Sequence, residues 1–183
     1  MKMSNIRIPK RLKQRPQFQG LPIPHVTLIR PDGKPDFRVT NEEARQSVMR
    51  FGLCQLCGHG LGKYQFFVGG TASAINNAYY EPACHLDCLI YAMQVCPFIV
   101  GKMEHVDSEK IQRANPTVAL QTHDFASPKR NPLWVIVKAS NWKIVYIGKT
   151  PCCKPDPWIK ATVPLMPEKM TPADWKQVFE QLL

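Results

Sequence analysis

Cys54-Gln55-Leu56-Cys57-Gly58, followed further on by His85-Leu86-Asp87-Cys88, constrains this chain more than any other feature. Two donor pairs at these spacings supply the four ligands that a tetrahedral structural metal site requires. Gly58 lets the first pair close around a tight turn. His85 and Cys88, three positions apart, would project from one face of a helix's first turn. Cys54, Cys57, His85 and Cys88 are therefore the expected ligands of a single structural Zn2+, in the order of a treble-clef-like zinc module. Four protein ligands leave no position for a reactive water, so the ion is read as structural. Cys84 leaves a Cys54/Cys57/Cys84/Cys88 set open, although the three-residue spacing favours His85. Cys96 reads as a small hydrophobe. Cys152-Cys153 reads as a pair of loop or strand-end thiols, whose thiolates Lys149 and Lys154 could favour.

Charge bears on partners. The chain of 183 residues carries 24 Lys+Arg against 14 Asp+Glu, a formal charge of +10 and a pI near 9.4. Such an excess favours polyanions through counterion release, nucleic acid being the commonest. With 44% hydrophobic residues the chain can bury a core. No stretch approaches the roughly 18–20 apolar residues that span a bilayer, and the basic N-terminus lacks the apolar run of a signal peptide. A reducing, intracellular setting is expected, and the seven cysteines are odd in number, which excludes complete pairing within one chain.

Three regions are expected. Residues 1–38 form a basic arm, polyproline-like or irregular, because prolines recur at 9, 16, 22, 24, 31 and 35. Phe18, Leu21, Ile23, Val26, Leu28 and Ile29 would strap it to the body. Arg7, Lys10, Arg11, Lys13 and Arg15 are its candidate nucleic-acid contacts. Residues 39–100 form the zinc module. Thr40 and Glu43 have capping-box spacing for a helix to about Arg50 that stops at Gly52, with Ala44, Val48 and Phe51 on its apolar face. A strand follows at Tyr64–Val68, and Ala78–Tyr80 is a candidate return strand. Pro82 would open a helix over about 83–95, ended by Pro97.

Residues 101–183 are expected as an α+β part packed on the module as one domain. It would hold a helix at Ser108–Arg113, a strand at Thr117–Thr122, and a hairpin joining Leu133–Lys138 to Trp142–Ile147 across Ala139-Ser140-Asn141. A last helix, capped at Thr171–Asp174, would run to Leu183 and bury Trp175, Val178, Phe179 and Leu182. The fold class is α+β: a treble-clef-like zinc module joined to a small antiparallel hairpin or sheet with flanking helices.

Catalytic signatures are missing. A His-metal-finger nuclease needs a base histidine on its hairpin, yet no histidine lies between Leu61 and Cys84, and His59 falls in the knuckle turn. There is no nucleotide-binding glycine fingerprint, Walker motif, His-Glu-x-x-His or deaminase signature. His59, His105 and His123 read as surface or core, and a non-enzymatic protein without a small-molecule substrate is expected.

Several segments stand in an order that resembles one family. They are Arg7–Leu12, Gly20–Pro24, Pro35–Val39, Leu53–Gly58, Phe67–Gly70 and Pro82–Pro97. Together they resemble small zinc-finger proteins of bacteriophages and bacterial genomes, over roughly residues 5–100. The resemblance implies Cys54, Cys57, His85 and Cys88 as ligands, with Cys84 outside the set, and a bacterial host cytoplasm. It brings no activity. The expected function is DNA or RNA binding in a regulatory or accessory role; the alternative is a module docking on a host enzyme or defence protein.

Overall fold

A computed structural model of the chain describes residues 6–97, 99, 108–116, 134–156, 158–163 and 170–182. At its centre runs β6 (Trp134–Ala139), all six residues of which are buried. An apolar run without polar alternation suits a strand covered on both faces. β6 pairs antiparallel with β5 (Gln65–Gly69) on one edge and with β9 (Trp158–Val163) on the other. Because side chains alternate across a strand, this sheet separates two cores. Phe66, Val68, Trp134 and Ile136 cluster with Cys54, Cys57, Cys88 and Leu89. Phe67, Val135 and Val137 cluster with Met49, Tyr79 and Cys153 on the other side.

The hairpin expected across residues 139–141 does not form. β7 (Trp142–Ile147) pairs instead with β8 (Thr150–Pro155). Both edges of β6 are already occupied, and neither Ser140 nor Asn141 takes the positive φ that a two-residue hairpin turn demands. Gly148 takes it, at φ 58°, as the first residue of the Gly148-Lys149 turn. Asn141 steers the chain away from the sheet: its Oδ1 accepts the Trp142 N–H at 2.8 Å and its carbonyl accepts the Asp156 N–H at 2.9 Å. Nor do residues 78–80 form a strand beside β5. Tyr79 makes a single bridge to Cys153 on β8, each N–H donating to the other's carbonyl at 2.8 Å.

The described part of the N-terminal arm is folded rather than irregular. A turn of helix, α1 (Lys10–Lys13), buries Leu12 in the core that holds Cys54 and Cys57. β1 (Gln17–Phe18) and β2 (Leu21–Pro22) join through Gln19-Gly20, both at positive φ. β3 (Thr27–Ile29) and β4 (Pro35–Thr40) join through Pro31-Asp32-Gly33, where the Gly33 N–H donates to the Arg30 carbonyl at 2.9 Å. The prolines stand at helix starts, strand ends and turns, places where a missing donor is tolerated.

α2 (Glu42–Phe51) is capped by Asn41, whose Oδ1 accepts the Ala44 N–H at 2.9 Å. Thr40, the expected cap, is instead the last residue of β4, opposite Thr27. Phe51 is 66% exposed rather than on the buried face, which Arg45 joins beside Val48 and Met49. The Arg45 guanidinium donates to both Glu42 oxygens at 2.7 Å, to the Tyr80 carbonyl at 2.8 Å and to the Pro151 carbonyl at 3.0 Å. One fully buried arginine thus ties α2 to the 78–81 segment and to β8.

The remaining helices are α3 (Thr71–Asn76), α4 (Leu86–Val95), α5 (Ser108–Ala114) and α6 (Pro172–Glu180). α4 begins later than expected, because Cys84 is extended and exchanges both backbone hydrogen bonds with Phe66. Pro82 therefore lies outside the helix. At α6 the Asp174 N–H donates to Thr171 Oγ1 at 3.3 Å, while Asp174 Oδ2 accepts from the Thr171 N–H at 2.6 Å. Val178 and Leu182 bury against the cysteine-bearing core. The expected strand at 117–122, His105 and His123 lie outside the described residues, as do the side chains of Trp175 and Phe179. Among the described residues no helix is long and apolar enough to cross a membrane.

Candidate metal centre

Two backbone devices bring the four donors together. The first is the 54–60 turn, closed by the Cys54 N–H donating to the His59 carbonyl and the Gly58 N–H to the Cys54 carbonyl, both at 2.8 Å. Gly58 sits at φ 79° with His25 packed on it; a Cβ there would lie 2.7 Å from His25 Nδ1. The second is the entry to α4, where His85 is the N-cap residue and Cys88 lies in the first turn. The two are tied by the Gln55 N–H, which donates to the Ala83 carbonyl at 3.1 Å, and by Gln55 Nε2, which donates to the Pro82 carbonyl at 2.7 Å.

The ligand atoms of Cys54, Cys57, His85 and Cys88 all lie within 4.8 Å of one another. Zinc–ligand bonds of ~2.3 Å place tetrahedral ligand atoms about 3.8 Å apart, so the set fits one ion with little movement. His85 turns Nδ1 toward Cys57 Sγ at 3.4 Å. Its Nε2 lies 3.0 Å from the Gly60 carbonyl, an acceptor that fixes the proton on Nε2 and leaves the Nδ1 lone pair for a metal. The three cysteines are buried and the histidine is half-buried. These four residues could hold one metal ion.

Electrostatics point the same way. Cys57, Cys84 and Cys88 hydrogen-bond to Cys54 and hold its thiol far below the usual range. Cys88 is pushed far up, first by that bond to Cys54 and then by Cys57. Bonding to Cys54 raises the His85 imidazole against the opposing effect of burial. A divalent ion bound there would displace protons from the cluster. Cys84 falls outside the four-donor set. It is fully buried, receives Gln55 Nε2 at 3.3 Å and has its thiol raised well above the usual range by burial.

The basic residues of the arm divide. Arg7, Lys10 and Lys13 are exposed. Arg11 is exposed but pairs with Asp87 at 3.0 Å, pinning α1 to the start of α4. Arg15 is half-buried, its Nε donating to the Ile23 carbonyl at 3.0 Å, just past β2. Of the aromatics in the Tyr64–Val68 segment, Phe66 and Phe67 are buried in the two cores. Tyr64 is 43% exposed, with the Lys138 ammonium 4.4 Å and the Lys63 ammonium 5.2 Å from its ring centre.

Cys152 and Cys153 are not loop thiols. Both are buried in β8, and burial pushes the Cys153 thiol up to about 12, away from activation by the neighbouring lysines. The sequence reading missed His25, which packs on the knuckle glycine, and Arg45; neither has a spacing signature. Compared with protein-family models, curated proteins and solved structures, the chain gives no match. The functional reading therefore rests on its own residues.

Proposed function

We propose that the chain is a zinc-stabilised, non-enzymatic nucleic-acid-binding protein. The observation that carries this reading is the position of the basic helix α1. Leu12 anchors it in the core that holds Cys54, Cys57 and Cys88, while Lys10 and Lys13 stay exposed. Arg7 precedes them, and Arg11 ties the helix to α4. A rigid scaffold that presents several cations, on a chain of net +10, suits phosphate contacts better than a mobile tail does. Three sulfurs and one nitrogen are a donor set that favours zinc, and a closed set of four makes it a folding element. In this reading the knuckle, the Phe66–Cys84 pairing and α4 compose a treble-clef-like module. When bound, the ion would supply cross-linking. The side chains around it position α1 and the loop at 60–64.

The test is anisotropy binding of the zinc-loaded chain to labelled DNA and RNA across a salt series. Submicromolar binding that weakens steeply with salt is expected, and Lys10→Gln with Lys13→Gln should lower the log–log salt slope by about 2. Affinity that ignores salt, or no binding at moderate ionic strength, would remove this reading.

One observation favours a second reading, a protein-docking module. β7 pairs only with β8 among the described residues, and Tyr146 on it is 70% exposed, with Ile144 exposed two positions away. An open strand edge with apolar side chains suits strand addition by a partner. A stoichiometric protein partner that survives nuclease treatment, and is lost on Tyr146→Lys, is the result expected of that reading.

A further inference from the structure

Arg15 is a half-buried cation without a carboxylate. Among the described residues three arginines are buried in whole or in part: Arg15, Arg30 and Arg45. Arg45 pairs with Glu42 at 2.7 Å and Arg30 with Asp32 at 3.4 Å, whereas no carboxylate of the described residues reaches Arg15. Its guanidinium is nonetheless held in place. Nε donates to the Ile23 carbonyl at 3.0 Å, and Nη1 makes a longer contact, 3.5 Å, with His25 Nδ1. His25 in turn stands on the knuckle. Its N–H donates to the Leu56 carbonyl at 3.0 Å, and its ring covers Gly58. The Val26 N–H adds a bond to the Gln55 carbonyl at 3.2 Å. Residues 23–26 thus lie along the turn that carries Cys54 and Cys57, and they bring Arg15 with them.

What such a cation compensates follows from the donor set. Three thiolates and a neutral imidazole around a divalent ion leave a net negative charge. In a core that excludes water, that charge is costly unless an opposite charge stands near it. Two arginines bear on the donors. Arg11 acts on His85, but its own charge is matched by Asp87 at 3.0 Å. Arg15 is unmatched, and the field it meets comes from the knuckle: burial lowers the guanidinium, and the Cys57 charge opposes that effect. We infer that Arg15 is the counter-charge of the metal centre, a positioning residue held behind the knuckle by Ile23 and His25 that sets how tightly the thiolates hold their ion. The inference rests on the zinc reading above. It takes Arg15 out of the nucleic-acid contacts and leaves that role to Arg7, Lys10 and Lys13. A counter-charge acts on the thiolates as a set, so its loss weakens the hold on metal without changing which atoms bind.

The experiment uses the full chain. Zinc affinity is measured by competition with a chromophoric chelator for wild type, Arg15→Lys, Arg15→Gln and Arg15→Glu. The visible spectrum of the cobalt-substituted proteins reports whether the same four donors remain. Charge should set the order of affinities. Arg15→Lys is expected close to wild type, Arg15→Gln roughly tenfold weaker and Arg15→Glu weaker still, with one cobalt spectrum throughout. A merely structural Arg15 predicts otherwise, because a lysine ammonium cannot span the Ile23 carbonyl and His25 as the planar fork does. Zinc affinity unchanged in Arg15→Gln and Arg15→Glu overturns the counter-charge. So does an Arg15→Lys protein as weak as Arg15→Gln, or a cobalt spectrum altered in Arg15→Gln. Wild-type protein that binds no zinc overturns the zinc reading and this inference with it.

Discussion

Cys54 and Cys84 are close enough to share a hydrogen bond, yet the four-donor set includes only the first. The difference lies in the backbone. Cys84 is fixed in an extended pairing with Phe66 and is engaged by Gln55, whereas His85 caps α4 and swings its ring over the knuckle. Cys84→Ser should therefore retain one equivalent of metal, whereas Cys57→Ser or Cys88→Ser should lose it, as read by metal content after gel filtration. Gly58 offers a second test. A side chain there meets both the left-handed backbone and the His25 ring, so Gly58→Ala should destabilise by at least about 1 kcal/mol in urea unfolding. At this scale the four-donor cluster was legible, because metal chemistry imposes spacing on sequence. Arg45 was not. In the sequence it reads as a polar position on a helix, and only the carbonyls of Tyr80 and Pro151, brought from far along the chain, explain its burial.

Elements whose signals are local were readable, and those settled by partners were not. Gly52 stops α2 at φ 63°, and Thr171 with Asp174 caps α6, both as their residue types dictate. The 1–38 segment held equally local signals, Gln19-Gly20 and Pro31-Asp32-Gly33, which counting prolines obscured. β6 is different. Its apolar run, Trp134–Val137, suits burial on both faces. The strands that flank it, β5 and β9, come from segments not adjacent to it in the chain, so the sequence pointed instead to the neighbouring β7. The β4–α5 junction carries a pH prediction. Asp36 lies at about 2 in the folded protein against an ordinary 3.8, held down first by Arg38 and further by Asn115, while burial opposes them. Since the folded value is the lower one, the stabilisation is complete above about pH 4 and is lost as pH falls through 2. It amounts to about 2 kcal/mol. Denaturant melts between these limits should show the loss, and Asp36→Asn should flatten that part of the profile.

Across the whole molecule, the sheet of β5, β6 and β9 has one face packed toward the metal centre and the other toward α2 and β8. α1, α4 and α6 all contribute buried side chains to the first face, so the four-donor cluster sits where distant parts of the chain converge. Coordination there would be folding energy for that entire face, since apo ligands in a dry cluster repel or share protons instead of cross-linking. The basic helix α1 depends on this framework for its position, since Leu12 packs in the same core as Cys54, Cys57 and Cys88. X-ray absorption at the zinc edge of purified protein, with metal quantified per chain, tests it most directly. The account predicts one zinc per chain with three sulfurs near ~2.3 Å and one nitrogen near ~2.0 Å. A four-sulfur shell, or protein that folds fully without stoichiometric metal, would contradict it.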